Sequence, residues 1–388
     1  MGLRRVTVTI ELLEQLVGFE TVSGNSNLDL VEFVAGRLRA AGAECRVLPD
    51  PQGQKANLLA WIGPTDRPGL VLSGHSDVVP VTGQRWSGNP FALRRQDDRL
   101  IARGAADMKG FDAAAIALFE RIDPTSLRHP LILALSFDEE VGCKGAPPLI
   151  HALLETLPAP LGCIVGEPTM MEPVDGHKGK VAMAVEIKGR AGHSALPHKA
   201  ANAVFAAAQL IAALASRAAE LQAEGPFAAG FEPAWTTLNV GRIEGGSQIN
   251  IVPDRCRFEF EVRALPGTDP RDEVARVQRL VSEQVLPAMS AQAEECDIRF
   301  TELLRYPGFQ APEQSMIVRT VRDLTGGDEP AKVSYGTEAG LFAQSGIDVC
   351  VCGPGSIDVA HKPDEWITVG QLGRCDHFLD ELVQRLCR

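Results

Sequence analysis

Between residues 27 and 42 the apolar positions Leu30, Val31, Val34, Leu38 and Ala41 recur at helical spacing with polar residues between them. This pattern predicts an amphipathic helix with Asn27 as its N-cap and Gly42 as its stop. Residues 70–72, 131–137, 163–165 and 349–351 follow a different pattern, near-continuous apolar runs of strand length, as expected for strands buried on both faces. Alanine-rich helical stretches such as 111–122 lie between them. Strands alternating with helices predict an α/β domain built on a mostly parallel sheet flanked by helices.

Residues 178–305 have another rhythm. Apolar and polar positions alternate over 181–188, a helix is expected over 202–221, strands over 236–243 and 255–263, a second helix over 272–286 and a last strand over 296–303. That order of strand, helix, two strands, helix and strand predicts an inserted α+β ferredoxin-like domain. The expected organisation is a catalytic domain in two parts, 1–177 and 306–388, around an insert at 178–305. At 388 residues the chain is long enough for two such cores.

The candidate chemistry stands where the apolar runs end. His75 and Asp77 follow the first run, Asp107 lies in Gly-Ala-Ala-Asp-Met-Lys-Gly, Glu139 and Glu140 follow the second run, Glu167 follows the third and His361 follows the fourth. Taken singly these are a polar pair at a strand end, a solvated loop start and a turn. Together they mark the place where open α/β sheets collect ligands, and imidazole with carboxylate suits zinc or cobalt. Two divalent ions bring four positive charges, Asp107, Glu140 and Glu167 bring three negative ones, and a bridging hydroxide brings the sum to about neutral. Glu139 is then free to act as general base, His75 and His361 complete the ligands, and Asp77 lies two residues from His75, close enough to orient its ring.

In that order these motifs resemble the dinuclear zinc peptidase and deacylase family, from about Glu11 to the C-terminus. The resemblance implies that Asp107 bridges two ions, that His75 and Glu167 hold one, and that Glu140 and His361 hold the other. It also implies Glu139 as the general base, Asp77 as the acid that orients His75, and a cis peptide at Asp107-Met108. The insert is implied to be a lid and homodimerisation domain. Its His193, by sequence an ordinary turn histidine, would reach the other subunit's site and donate to the carbonyl oxygen as charge develops. Arg263 suits a substrate α-carboxylate or a surface ion pair, and Asn250 a turn or a substrate contact; the resemblance adds weight to the substrate reading of both. Tyr335-Gly-Thr-Glu-Ala-Gly340 and Ala360-His-Lys-Pro-Asp-Glu365 are more similar to the acetylornithine deacetylase branch than to the desuccinylases. That likeness implies a small N-acylated amino acid, N2-acetylornithine, as substrate in arginine biosynthesis. N-succinyl-diaminopimelate, acetylcitrulline and dipeptides are the alternatives for the same chemistry, and a non-catalytic metal-binding relative is disfavoured by the intact Glu139.

A formal net charge of -12 argues against nucleic acid or an anionic membrane as partner. No apolar stretch is expected to approach transmembrane length, and residues 1–20 lack an apolar core followed by a small-residue cleavage site, so a cytoplasmic enzyme is expected. The nine cysteines include no C-x-x-C pair, which points away from a disulfide framework or a zinc ribbon. Cys45, Cys163, Cys350 and Cys352 are expected to be buried small hydrophobes. His129, His151, His177, His198 and His377 have no catalytic context and are expected to be surface or structural residues.

Overall fold

The apolar runs become neighbours in one sheet. The computed structural model describes residues 2–327 and 329–387. Its first unit comprises Met1–Gly176, Gln310–Ala331 and Thr337–Arg388. There β1 (Glu44–Pro49), β2 (Ala56–Ile62), β3 (Leu70–His75), β4 (Leu131–Ser136), β5 (Gly162–Pro168) and β10 (Val349–Gly353) are ordered β1-β2-β4-β3-β5-β10. β4, β3, β5 and β10 pair in parallel, whereas β2 pairs antiparallel with both β1 and β4. Every residue of β3, β4, β5 and β10 is buried, which is why these strands read as unbroken apolar runs rather than as alternation.

Around the sheet are α1 (Gly2–Val17), α2 (Leu28–Ala40), α3 (Lys109–Arg121), α4 (Ala146–Thr156), α7 (Met316–Thr325), α8 (Ala339–Gln344) and α9 (Val369–Leu386). α2 buries the expected stripe of Leu30, Val31, Val34 and Leu38, and Gly42, at φ +88°, takes the left-handed turn that follows its end. Asn27 does not cap it. Its side-chain amide instead joins both backbone groups of Ala56, at 2.9 Å each, and Ser76 Oγ at 2.8 Å, tying the start of the helix to the strand ends beneath the site. α3 lies so close to β5 that a Cβ on Gly166 would stand 2.0 Å from the Phe111 ring. Glycine there lets the helix that follows Asp107 close onto the strand that carries Glu167.

The second unit is His177–Phe309 with Lys332–Gly336, and so takes in a short segment that a single insert over 178–305 leaves out. It contains β6 (Gly179–Lys188), α5 (Ala203–Glu224), β7 (Thr237–Gly245), β8 (Arg255–Ala264), α6 (Arg271–Leu280) and β9 (Asp297–Tyr306). The sheet order β7-β8-β6-β9, with every pairing antiparallel, is the ferredoxin-like arrangement. Cys256, Phe258, Phe260 and Val262 alternate inward along β8 and share a core with Ala206, Ala207, Leu210 and Leu214 of α5. The helix expected over 272–286 is not uniform: α6 gives way at Val281–Val285 to a π-helical turn.

α5 corrects one expectation. Its 22 residues are long and apolar enough to cross a membrane by length and composition. Alanine is the reason, since it raises hydropathy while offering little side chain to bury. The helix nonetheless has two faces, Leu210 and Leu214 in the core and Arg217 paired with Glu220 and Glu273. Of the cysteines, Cys163, Cys350 and Cys352 are buried as expected, whereas Cys45 is only half-buried.

Candidate metal centre

Parallel pairing of β3, β4 and β5 brings their carboxyl ends together, and the polar residues at those ends converge there. His75 is the last residue of β3, Glu139 and Glu140 follow β4, and Glu167 is the penultimate residue of β5. Asp107 precedes α3, and the Asp107-Met108 peptide is cis. His361 comes from the loop after β10 and holds φ +62°.

Asp107 stands between the two imidazoles. Its Oδ1 is 3.1 Å from His75 Nε2 and its Oδ2 is 3.1 Å from His361 Nε2. His361 Nε2 is also 3.0 Å from Glu140 Oε1, and His75 Nε2 is 3.8 Å from Glu167 Oε1. Ligand atoms of His75, Glu139 and Glu167 lie within 4.8 Å of one another, as do those of His75, Asp107 and Glu140. The donors are imidazole nitrogen and carboxylate oxygen, the set that zinc, cobalt and similar divalent ions accept.

Charge explains why such a cluster calls for cations. His75, Asp107, Glu139 and Glu167 are buried, and four carboxylates face two rings. Burial pushes the carboxyls of Glu139 and Glu167 well above the usual range, with neighbouring carboxylates adding to the effect, and takes Glu140 up to about 7. Hydrogen bonds that its ring donates to Asp107 and Glu140 raise His361 to about 10. Burial opposes a charged His75 ring, but Asp107 and Glu167 together hold it well above the ordinary imidazole value. Asp107 is buried too, yet the bonds from His361 and His75 keep it below the usual carboxylate range. Such a cluster favours bound positive charge, and the residues present suit two divalent cations.

Asp77 departs from the expected carboxylate–histidine pair. His75 Nδ1 lies 2.9 Å from the backbone oxygen of Asp77 and 3.7 Å from its carboxylate. The carboxylate instead accepts the backbone N–H of Glu139 at 2.9 Å, that of Glu140 at 3.4 Å and the hydroxyl of Ser23 at 2.6 Å. The preceding Asp138, at φ +53°, is held by Lys55 at 2.5 Å. Cys143 Sγ donates to Glu139 Oε1 at 3.3 Å.

Several polar residues at this end of the sheet were not weighed from sequence. Glu338, 1% exposed, accepts from Ser73 Oγ at 2.7 Å and Ser136 Oγ at 2.9 Å, bridging β3 and β4, and burial takes it up to about 7. Glu365 and Arg103 form a buried pair beside Asp107. Glu338 and Glu365 lie inside the two late motifs, so their position was in view although their chemistry was not.

His193, Asn250 and Arg263 belong to the second unit. His193 is exposed in the short strand Gly192–His193, which pairs with Ile251–Val252, and the backbone oxygen of the exposed Asn250 accepts from Ser194 N at 3.0 Å. Arg263 is half-buried at the end of β8, donating to Glu261 at 3.0 Å and to the Ser334 carbonyl at 3.2 Å. His177 is buried against the rings of Tyr306 and Phe309.

Residues 71–385 match the peptidase family M20/M25/M40. The chain belongs to that family. It is 37% identical over 383 residues to an acetylornithine deacetylase of Myxococcus xanthus, covering 97% of this chain and 96% of the relative. In fold it is similar to an M20 family metallo-carboxypeptidase, Sso-CP2, from Sulfolobus solfataricus, with a TM-score of 0.76 at 18% identity over 97% of this chain and 98% of the other. It is likewise similar to the YXEP protein of Bacillus subtilis, described as a dinuclear metal-binding peptidase, with a TM-score of 0.66 at 16% identity over 98% and 97%. This M20-family chain is accordingly a hydrolase, and the cluster around Asp107 is its candidate dinuclear centre.

Proposed function

We propose that the protein is a metal-dependent deacylase that hydrolyses the amide of N2-acetylornithine to ornithine and acetate, in arginine biosynthesis in the cytoplasm. The observation that carries the substrate is the near full-length likeness to an acetylornithine deacetylase. Convergence of His75, Asp107, Glu140, Glu167 and His361 supports the reaction class, with Asp107 shared between two ions, His75 and Glu167 on one side and Glu140 and His361 on the other. Zinc suits this donor set, and cobalt can replace it. Two such ions, when bound, polarise the acyl carbonyl and acidify a water.

Glu139 then takes a proton from the attacking water and delivers it to the leaving amine nitrogen. Its burial, and the loop held by Asp77 and Lys55, suit a base that must keep one orientation through both transfers. His193 donates to the carbonyl oxygen as negative charge develops there. Arg263 and Asn250 contact the substrate, with Arg263 receiving the α-carboxylate.

The protein acts as a homodimer joined through the second unit. That unit exposes Phe205 at 70%, Ile243 at 55% and Ile249 entirely, and β7 ends its sheet. The deciding experiment compares rates on N2-acetylornithine, N-succinyl-diaminopimelate, acetylcitrulline and dipeptides after reconstitution with zinc or cobalt. N2-acetylornithine should be fastest. A faster succinyl, citrulline or peptide substrate overturns the substrate and keeps the chemistry, while no turnover of any substrate with two ions bound overturns the enzyme.

A further inference from the structure

Arg103 and Glu365 take no part in the chemistry above, yet both are only 1% exposed. A buried ion pair is weak evidence for stabilisation, because desolvation offsets most of the attraction, and its retention invites another explanation. The contacts supply one. Glu365 Oε2 accepts from Arg103 Nη1 at 2.5 Å, and Oε1 accepts the backbone N–H groups of Ala106 at 2.9 Å and Asp107 at 3.0 Å. On the other side Arg103 Nη2 donates to Gln84 Oε1 at 2.7 Å, and Gln84 Nε2 donates to the backbone carbonyl of His361 at 2.8 Å. A single guanidinium is the centre of two arms, and the arms end on the backbones of the two residues whose side chains meet at 3.1 Å.

Two observations make the Gln84 arm directional. Trp86 Nε1–H also donates to Gln84 Oε1, at 3.0 Å, while its ring lies 5.0 Å from the Arg103 guanidinium. With two obligate donors on that side, the amide must present its oxygen to Arg103 and its NH2 to His361. His361 needs such an anchor, since φ +62° is a conformation that residues other than glycine seldom hold unaided.

We propose that Arg103 is a positioning residue for the metal centre, setting His361 through Gln84 and Asp107 through Glu365. The two arms differ in reach. Gln84 governs only the cation on the His361 side, whereas Glu365 acts on Asp107, which both cations share. This rests on the ligand assignment made above.

Cobalt binding to the metal-free protein, measured by equilibrium dialysis with the absorption of the bound ion as a second reading, tests it without reference to turnover. Arg103 itself is a poor probe, because its removal leaves Glu365 buried and unpaired. Gln84→Glu keeps the acceptor for Arg103 and Trp86 and loses the donor to His361. We expect it, like Gln84→Ala, to weaken one of the two ions by about 10–100-fold and to leave the other unchanged, as is typical for outer partners of metal ligands. Glu365→Gln should weaken both ions. Wild-type affinity for both ions in Gln84→Glu, or equal weakening of the two, overturns the bracket. His361→Ala separates the two ideas. If it binds both ions as the wild type does, the ligand assignment falls, and the bracket with it. If it loses one ion while the Gln84 variants lose none, only the bracket falls.

Discussion

Asp77 Oδ1 accepts the backbone N–H of Glu139 at 2.9 Å, so this carboxylate is bound to the loop that carries Glu139 more directly than to the ring of His75. Asp77→Ala should lower turnover by about 10–100-fold, the usual effect of losing an outer partner, with little change in KM. Asp77→Asn keeps one acceptor oxygen and should lose less. Steady-state kinetics with metal content measured on the same samples checks this, and two variants as active as the wild type would remove Asp77 from the machinery.

Glu139 and Glu140 are neighbours in the chain with separate proposed tasks, and substitution should separate them. Glu139→Ala should retain two ions and lose about 10²–10⁴ in rate, the span typical of general acid–base assistance. Glu140→Ala should lose metal first and activity with it. Metal content by elemental analysis beside kcat distinguishes the two, and a loss under about tenfold at Glu139 would assign the proton transfers to another group.

Protons and metal ions compete for the centre. In the metal-free protein His361 is raised to about 10, above its ordinary value of 6.5. Its pairing with Asp107, which stays ionised, therefore contributes stability that is complete below pH 6.5 and is lost as pH rises through about 10. The melting temperature of the metal-free protein should fall over that window, and less so in His361→Ala. Metal binding needs the ring neutral, so apparent cobalt affinity should rise with pH in the same range. A pH-independent affinity contradicts both statements.

If the second unit forms the dimer and His193 serves the partner's centre, mixing His193→Ala with Glu139→Ala chains should regenerate active hybrids, since one centre in each hybrid keeps both groups. Neither parent should be active alone, because a donor to a developing oxyanion is worth about 10²–10³ in turnover. Inactive hybrids, once subunit exchange has been demonstrated by mass spectrometry, would return His193 to a structural role.

Local pattern revealed the strands and most of the polar residues that converge at one end of the sheet, and failed where the partner is far away in the chain. β3, β4 and β5 are legible because strands buried on both faces can hold little but apolar residues, and β8 because alternation exposes one face of its sheet. His75, Glu140 and Glu167 were readable as residue types at strand ends, and Asp107 and His361 from the motifs that contain them. The bonds around them were not. Asn27 stands where an N-cap belongs, but Ala56 and Ser76 offer it more partners than the helix does. Asp77 is two residues from His75, yet its carboxylate is taken by backbone groups beyond β4. Arg103 and Glu365 meet although they are 262 residues apart in the chain, a separation over which periodicity carries no information. α5 misled through alanine, which counts as apolar in composition and contributes little to a core.

The position of β10 beside β5 has a consequence for biosynthesis. Cys163, Ile164 and Val165 of β5 pair with Val349, Cys350 and Val351, which are translated after the entire second unit. At about 5–20 residues per second, the roughly 180 residues between the two strands take on the order of 10–40 s to make. Until β10 is made, β5 lacks its partner on that side, and a buried-type strand left as an open edge is the kind of surface that recruits other chains or a chaperone. His361 follows β10 in the chain, so the side chains that meet around Asp107 can come together only after β10 has been made.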